Sequence, residues 1–428
     1  MRLRGAAVLV VVLIISACSG SSGSEGKASG EISFLVFGEP EELRAYRSVV
    51  RSFRRVEPDI EVNLVEASDR EDLIARLATS FAGGSPPDLF LLNYRFYGQF
   101  AARGVLEPIQ DRLADSSAFE PEDFYPQALE AFRFDGELTC LPQNISSLVV
   151  YYNRDLLRKE RVPEPKAAWT WNDMIEKALA LTRDVDEDGT VDQYGLGVEP
   201  TLIRIAPFVW SNGGELVDDE ERPTRFTLET PAAQKAMQDF FDLRQLHLVV
   251  PSEDEIESED DESRFQNGRT AMVLSSRRAT PAFRTITKFD WDIAPLPRHK
   301  QQAGILHSDA YCMTKQSDNK AAAWRFMEFA LGPQGQRITA RSGRTVPSLI
   351  QVSRSEAFLD PAAKPRNSRV FLDTIPFIRR VPTISTWPEI EDKSEMILEN
   401  GLYEGVSSKE IARQLDADTT EIFARAER

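Results

Sequence analysis

The sequence predicts an α/β protein with a largely parallel sheet and helices on both faces of the sheet. Near the start of the folded region, short apolar runs alternate with segments of helical periodicity, and glycine and proline clusters such as residues 83–87 separate them. The chain has 428 residues and is 42% hydrophobic, which is enough for two domains rather than one.

The first elements form two β-α-β units. We predict, in order, a strand at 32–37, a helix at 41–56, a strand at 61–65, a helix at 70–82 and a strand at 88–92. Two such crossovers imply a parallel sheet. In such sheets ligands bind beyond the carboxyl ends of the strands, here at Gly38, Glu39 and residues 93–95, where helix N-termini also point their amides.

A second set of elements follows a long apolar run at 139–153. This run lacks helical periodicity and contains Pro142, so it suits a strand that leaves one domain and enters another. The later elements are predicted as helices at 171–181, 231–246 and 320–331, with strands at 270–274 and 291–294. The acidic stretch at 252–263 and residues 361–369 are expected to be exposed connections.

The N-terminus has the layout of an export signal. Two arginines precede an apolar run at 6–15, which is about half the ~20 residues needed to cross a bilayer as a helix. We interpret residues 1–17 as a signal peptide, Cys18 as the lipidated residue of a bacterial lipoprotein, and 18–30 as a Ser- and Gly-rich tether. An ordinary cleaved signal, with Cys18 as a bystander, is the alternative.

Composition argues against several classes of function. The net charge is −17, and loss of Arg2 and Arg4 with the signal makes it −19, a charge that repels nucleic acid. The chain has no HExxH, CxxC, GxSxG or Walker motif, and its three histidines lack ligand spacing. We therefore expect no required cofactor and no enzyme activity. Composition does not exclude a glycosidase carboxylate pair, but the sequence nominates none.

The loop at 184–192 has the spacing of a calcium-binding loop. Oxygen-bearing residues stand at positions 1, 3, 5, 7 and 9, with a glycine at position 6, as an EF-hand type of loop requires. Position 12 is Gly195 instead of a bidentate glutamate. We predict a Ca²⁺ site, with a solvated acidic turn as the alternative; its residues are Asp184, Asp186, Asp188, Thr190 and Asp192.

A series of ordered motifs resembles a known family. The motifs are S-P-P-D at 85–88, G-V-L-E-P-I at 104–109, V-Y-Y-N-R-D-L at 150–156, W-T-W at 169–171, G-G-E at 213–215, F-Q-N-G-R-T-A-M at 265–272, A-P-L-P at 294–297 and W-P-E-I at 387–390. Their order resembles the extracellular solute-binding proteins of carbohydrate importers driven by ATP, including the maltose-binding type.

The resemblance implies a two-lobed, periplasmic-binding-protein-like (type II) α/β fold with a hinge. Lobe 1 would comprise 31–140 plus about 313–372, and lobe 2 about 145–308 plus about 376–428. The implied protein is an exported, lipid-anchored monomer that captures a sugar or sugar derivative and delivers it to two integral-membrane permease subunits. A binding protein that serves a membrane sensor is an alternative with the same sequence features.

The resemblance also implies a ligand site between the lobes. Sugar hydroxyls need paired donors and acceptors, and the apolar faces of sugar rings stack on aromatic side chains. Some of these positions have structural alternatives, because aromatic residues also bury in cores and an acidic residue also caps a helix. The implied ligand-binding residues are Phe37, Glu39, Asn93, Tyr94 and Arg95 on lobe 1, and Glu199, Trp210, Ser275, Arg277, Arg278 and Trp387 on lobe 2.

Two further expectations depend on the resemblance. Residues 275–278 read S-S-R-R where maltose-type binders have an aromatic residue, so an acidic or phosphorylated ligand bound by arginine is an alternative to a neutral sugar. Salt bridges to the acidic stretch would also explain these arginines. Cys140 and Cys312 are implied to lie where the chain crosses between the lobes, so a disulfide and two separate buried thiols both remain open.

Overall fold

A computed structural model describes residues 28–426, which form two lobes, each built on its own sheet. The predicted signal peptide, the proposed lipidation site Cys18 and most of the tether lie outside the described residues. Within residues 28–426, no helix is long and apolar enough to cross a membrane.

The secondary-structure elements agree with most of the predicted segments. The strands of the described residues are β1 (Gly30–Val36), β2 (Ile60–Glu66), β3 (Leu89–Asn93), β4 (Arg133–Phe134), β5 (Glu137–Leu138), β6 (Cys140–Pro142), β7 (Val149–Asn153), β8 (Met272–Ser275), β9 (Trp291–Pro295), β10 (Gly304–Ile305), β11 (Asp309–Met313) and β12 (Ile378–Arg379). The α-helices are α1 (Pro40–Val56), α2 (Arg70–Ala82), α3 (Tyr94–Ala101), α4 (Gln110–Ala114), α5 (Pro126–Glu130), α6 (Arg154–Lys159), α7 (Trp171–Leu181), α8 (Leu202–Ser211), α9 (Pro231–Gln245), α10 (Glu253–Ser258), α11 (Asp261–Asn267), α12 (Thr280–Phe283), α13 (Lys320–Leu331), α14 (Pro333–Arg341), α15 (Ile350–Ser353), α16 (Arg369–Asp373), α17 (Trp387–Leu402) and α18 (Ser408–Ala424).

The first sheet has five strands in the order β2-β1-β3-β11-β6. β1 runs parallel to β2 and β3, as predicted, whereas β11 runs antiparallel to both β3 and β6. Helix α1 begins at a proline and packs Tyr46, Val49 and Phe53 into the core of this lobe. Helix α2 begins where the Asp69 side chain accepts a hydrogen bond from the Asp72 amide at 2.7 Å.

The second sheet has three antiparallel strands in the order β8-β7-β9. Helices α8, α9, α17 and α18 pack together in this lobe. The apolar run at 139–153 supplies β6 to the first sheet and β7 to the second, so the predicted crossing between domains is confirmed.

One lobe boundary differs from the prediction. Residues up to about 372 were assigned to lobe 1, but Phe358 and Phe371 pack in the same buried cluster as Tyr151 and Trp291 of the second sheet. Helix α16 also contacts β9. The returning chain thus adds its own aromatic residues to Phe265 and Phe283 in the core of the second lobe.

The crossings between the lobes are hydrogen-bonded to each other. The Ser146 amide donates to the His307 carbonyl at 2.9 Å, and the His307 amide donates to the Ser146 carbonyl at 2.8 Å. Within six residues of these crossings, Cys140 of β6 lies opposite Cys312 of β11, with 4.3 Å between their Cα atoms. The two cysteines form a disulfide, which decides between the two alternatives that the sequence left open.

Candidate functional site

A cavity of about 780 Å³ lies between the two lobes. The N-terminal ends of α1, α2, α3 and α8 all reach its wall. Because the first amides of a helix have no partner within the helix, these ends offer donors and partial positive charge to whatever enters the cavity. The position agrees with the crevice predicted beyond the carboxyl ends of the strands.

Six of the predicted ligand-binding residues line this cleft. They come from both lobes, from loops that follow strands and from the first turns of helices. These residues are Phe37, Glu39, Asn93, Arg95, Glu199 and Arg278.

The two predicted tryptophan platforms are not in the cleft. Trp387 is fully buried, with its ring near Phe226 and Phe423, and its indole Nε1 donates to Glu391 at 2.9 Å. Trp210 is also buried, with the Arg379 guanidinium 4.7 Å from its ring centre. The indoles fill the core of lobe 2, so Trp387 reaches the cleft only indirectly, by holding the Glu391 carboxylate.

Three further predicted residues also face away from the cleft. Tyr94 is fully buried at the start of α3, and the buried Ser275 hydroxyl donates to Glu262 at 2.7 Å. The Arg277 guanidinium lies between the rings of Phe358 and Phe371, at 4.8 and 5.2 Å.

Of the two arginines proposed to bind an acidic or phosphorylated ligand, Arg278 lines the cleft and Arg277 does not. Burial lowers the pKa of Arg277 to about 9. Arg278 also pairs with Glu262 of the acidic stretch at 2.7 Å, as expected from the alternative in which salt bridges to this stretch explain the arginines.

The structure adds charged residues that the sequence did not nominate. They lie in the first two turns of helices, at the start of β11 or, for Arg344, in the loop after α14. The position of Arg70 beside a capping aspartate was the one local signal for any of them. These residues are Arg70, Arg204, Arg344, Glu42, Asp309 and Glu391.

Most of these charges are already paired. Arg95 donates to Glu391 at 2.6 Å, Arg204 lies 2.9 Å from Glu199, and Arg344 forms an ion pair with Glu42. Burial raises the pKa of Glu42 to about 7, against the opposite effect of Arg344. The Asp309 carboxylate accepts from the Asn93 amide at 2.9 Å.

Two phenylalanines give the cleft its aromatic surface. Phe37 and Phe96 are both partly exposed in the wall, and the Arg70 guanidinium lies 5.8 and 5.7 Å from their ring centres. A wall with two aromatic faces and many fixed donors and acceptors can hold a polyhydroxylated ring, because it pairs the hydroxyls and covers the apolar face of the ring.

The predicted calcium loop brings its first three aspartates together. Asp184, Asp186 and Asp188 each offer a carboxylate oxygen, and these atoms lie within 4.8 Å of one another. The Asp192 carboxylate instead accepts from the Val185 amide at 2.7 Å, so it closes the loop from within. The backbone amide of Thr190 donates to Asp188.

The chain is similar to known binding proteins. The sequence profile of the bacterial extracellular solute-binding protein family matches residues 38–337. A galactooligosaccharide-binding protein of Bacillus subtilis is 22% identical over 91% of this chain and 89% of its own length. A maltotriose-binding protein of Pyrococcus abyssi is 24% identical over 78% of this chain and 69% of its own.

Solved structures share the fold. A substrate-binding protein of an ABC transporter from Listeria monocytogenes, solved with cycloalternan, superposes with a TM-score of 0.84 and 25% identity over 92% of this chain and 99% of that one. This agreement confirms the predicted two-lobed type II fold, and the family implies an exported, extracytoplasmic protein. The chain thus belongs to the family of bacterial extracellular solute-binding proteins, and it resembles the maltose-binding type.

Proposed function

We propose that this protein captures a sugar or sugar derivative between its lobes and delivers it to the two membrane subunits of an ABC importer. The observation that carries the proposal is the cleft, in which Phe37 and Phe96 stand beside fixed polar partners from both lobes. The crossings at Ser146 and His307 would act as the hinge for closure. Relatives whose names specify sugars support the ligand class.

We further propose that the protein acts as a lipid-anchored monomer without catalytic activity. The signal layout and Cys18 support the anchor, and the tether would let the lobes reach the membrane subunits. Mass spectrometry of the mature N-terminus tests the anchor. Incubation with a panel of glycans tests the absence of catalysis, since a binding protein raises its melting temperature without releasing product.

Phe96→Ala is expected to weaken sugar binding about tenfold, because loss of a stacked ring costs about 1.4 kcal/mol. Isothermal titration would measure this with the saccharide that gives the largest thermal shift, from a panel including maltotriose and galactooligosaccharides. Phe377→Ala is the matched control, because Phe377 is 45% exposed and lies outside the cleft. Equal affinity in wild type and Phe96→Ala, with both folded, would contradict the proposed platform.

We also propose a structural calcium ion at the loop 184–192. The support is the convergence of three aspartate carboxylates in an Asp-x-Asp-x-Asp-Gly sequence. With position 12 unable to ligate, the affinity should be weak, about 10⁻⁴ M, which extracellular calcium can still fill.

Calcium is expected to raise the melting temperature by a few degrees while sugar affinity stays the same, because binding to the folded state alone stabilises it. Asp186→Ala should abolish this rise. Asp254→Ala, in the acidic stretch, should leave the rise intact. The proposal fails if calcium at millimolar concentration, compared with a chelator, leaves the wild-type transition unmoved.

A further inference from the structure

Arg70 differs from the other arginines of the cleft. Arg95, Arg204 and Arg344 each pair with a carboxylate. Arg70 has no carboxylate partner within residues 28–426, and its Nε is buried without a hydrogen-bond acceptor there. Its guanidinium lies by the rings of Phe37 and Phe96, where the proposed function places the sugar.

Arg70 has charged neighbours of both signs. Burial and the neighbouring Arg95 lower its pKa, whereas Asp309 and Glu71 raise it, and Arg278 adds a smaller lowering effect. His307, in the same wall, has a buried Nε2 without a partner in the described structure. Burial and the nearby arginines, first among them Arg204, lower the pKa of His307 well below its usual range. A neutral imidazole therefore stands among several guanidinium groups.

Two acidic groups near these arginines already accept hydrogen bonds from other residues. Glu391 accepts from both Arg95 and Trp387, and Asp309 accepts from the Asn93 amide. Arg70 is also the first residue of the 13-residue helix α2, whose N-terminal amides add partial positive charge. The Arg70 guanidinium is partly desolvated, has no ion-pair partner in the described residues and lies beside the two phenylalanine rings. Its donors are therefore free to bind an anionic group of the ligand.

We propose that Arg70 binds an anionic group of the ligand, so that the protein takes an acidic saccharide bearing a carboxylate or a phosphate. This inference rests on the proposed function and deepens it. The sugar ring would cover Phe37 or Phe96, and its acidic substituent would meet the guanidinium edge of Arg70. An ion pair from Arg70 to a lobe 2 carboxylate such as Glu199 on closure is the competing explanation.

The test is isothermal titration of the full mature protein with matched saccharides. Digalacturonate and galactose 6-phosphate represent the two anions, with galactobiose and galactose as their neutral counterparts, and maltotriose as a further neutral probe. One of the acidic compounds should bind at least about 30-fold more tightly than its neutral counterpart, and the stronger of the two identifies the anion. Arg70→Met should remove about 30-fold of that affinity, while Arg70→Lys keeps part of it.

Arg76→Met is the matched control, because Arg76 is on the same helix, pairs with Asp72 at 2.8 Å and lies outside the cleft. It should leave all affinities unchanged. The inference is overturned if neutral saccharides bind as tightly as acidic ones, or if Arg70→Met weakens both equally, as a closure ion pair predicts. In those cases the proposed sugar-binding function stands. If no saccharide of either kind binds, the proposed function fails together with the inference.

Discussion

Replacement of both Cys140 and Cys312 by alanine is expected to lower the free energy of unfolding by about 2 to 5 kcal/mol. The disulfide joins β6 and β11, which are adjacent in the first sheet but 172 residues apart in sequence. Most of lobe 2 lies within the closed loop, so its removal gives the unfolded chain much more freedom. The bridge also fixes the two strands from which the chain crosses between the lobes.

Calorimetry of the double variant beside wild type would measure this effect. Both cysteine side chains are fully buried, so alanine also leaves a small cavity. Unfolding of the wild type in the presence of a reductant separates that contribution from the loss of the crosslink. Sugar affinity should stay near the wild-type value, since neither cysteine lines the cleft. Identical transitions for wild type and double variant under oxidising conditions would contradict the assigned role.

Asp261→Asn is expected to stabilise the protein, and more so at pH 8 than at pH 5. Asp261 is 5% exposed, its Oδ1 has no hydrogen-bond partner in the described residues, and burial, with a further contribution from Glu199, raises its pKa to about 8. The folded state therefore holds a proton on this carboxyl that the unfolded chain loses near its ordinary value of 3.8. The contribution of the protonated Asp261 carboxyl to the free energy of unfolding is therefore fully present below about pH 4 and is lost as the pH rises towards 8.

Asparagine removes this dependence, since it is neutral at every pH and similar in shape. Each pH unit between the unfolded and folded pKa values corresponds to about 1.4 kcal/mol, so the gain at pH 8 should exceed the gain at pH 5 by roughly 3 to 4 kcal/mol. Urea unfolding at the two pH values would measure it. Asp260→Asn is the matched control, because Asp260 caps α11 through the Ser263 amide at 2.9 Å and should give no such gain. A gain that does not change with pH would refute the protonated state.

The local elements were predictable because their signals are local. The bounds of α2, α7 and α13 agree with the predicted helices at 70–82, 171–181 and 320–331, since amphipathic spacing, caps and breakers act within a few residues. The order of motifs predicted the family for the same reason, as it needs no knowledge of distant contacts.

The cleft was only half predictable. Asn93 and Arg95 were found because they follow a strand, and such positions share one edge of a parallel sheet. The prediction that Trp387 and Trp210 line the cleft was wrong, because the sequence alone does not show whether an indole fills a core or faces a ligand. Ser275 and Arg277 followed a strand as well, but only the packing of Phe358 and Phe371, more than 80 residues later in the chain, decided that Arg277 is buried.

The sequence by itself determined the α/β class, the alternation of strands and helices, the crossing at 139–153 and the membership of a solute-binding family. Tertiary structure alone decided which side chains share the cleft, because Arg70 lies more than 200 residues before Asp309 and Arg344 in the chain. It also decided the disulfide, since two cysteines bridge only when their strands are paired in the required register. The hydrophobic periodicity that predicts a helix or a strand lies within one segment of the chain. The charge and shape of a binding site, in contrast, arise only when distant segments pack together.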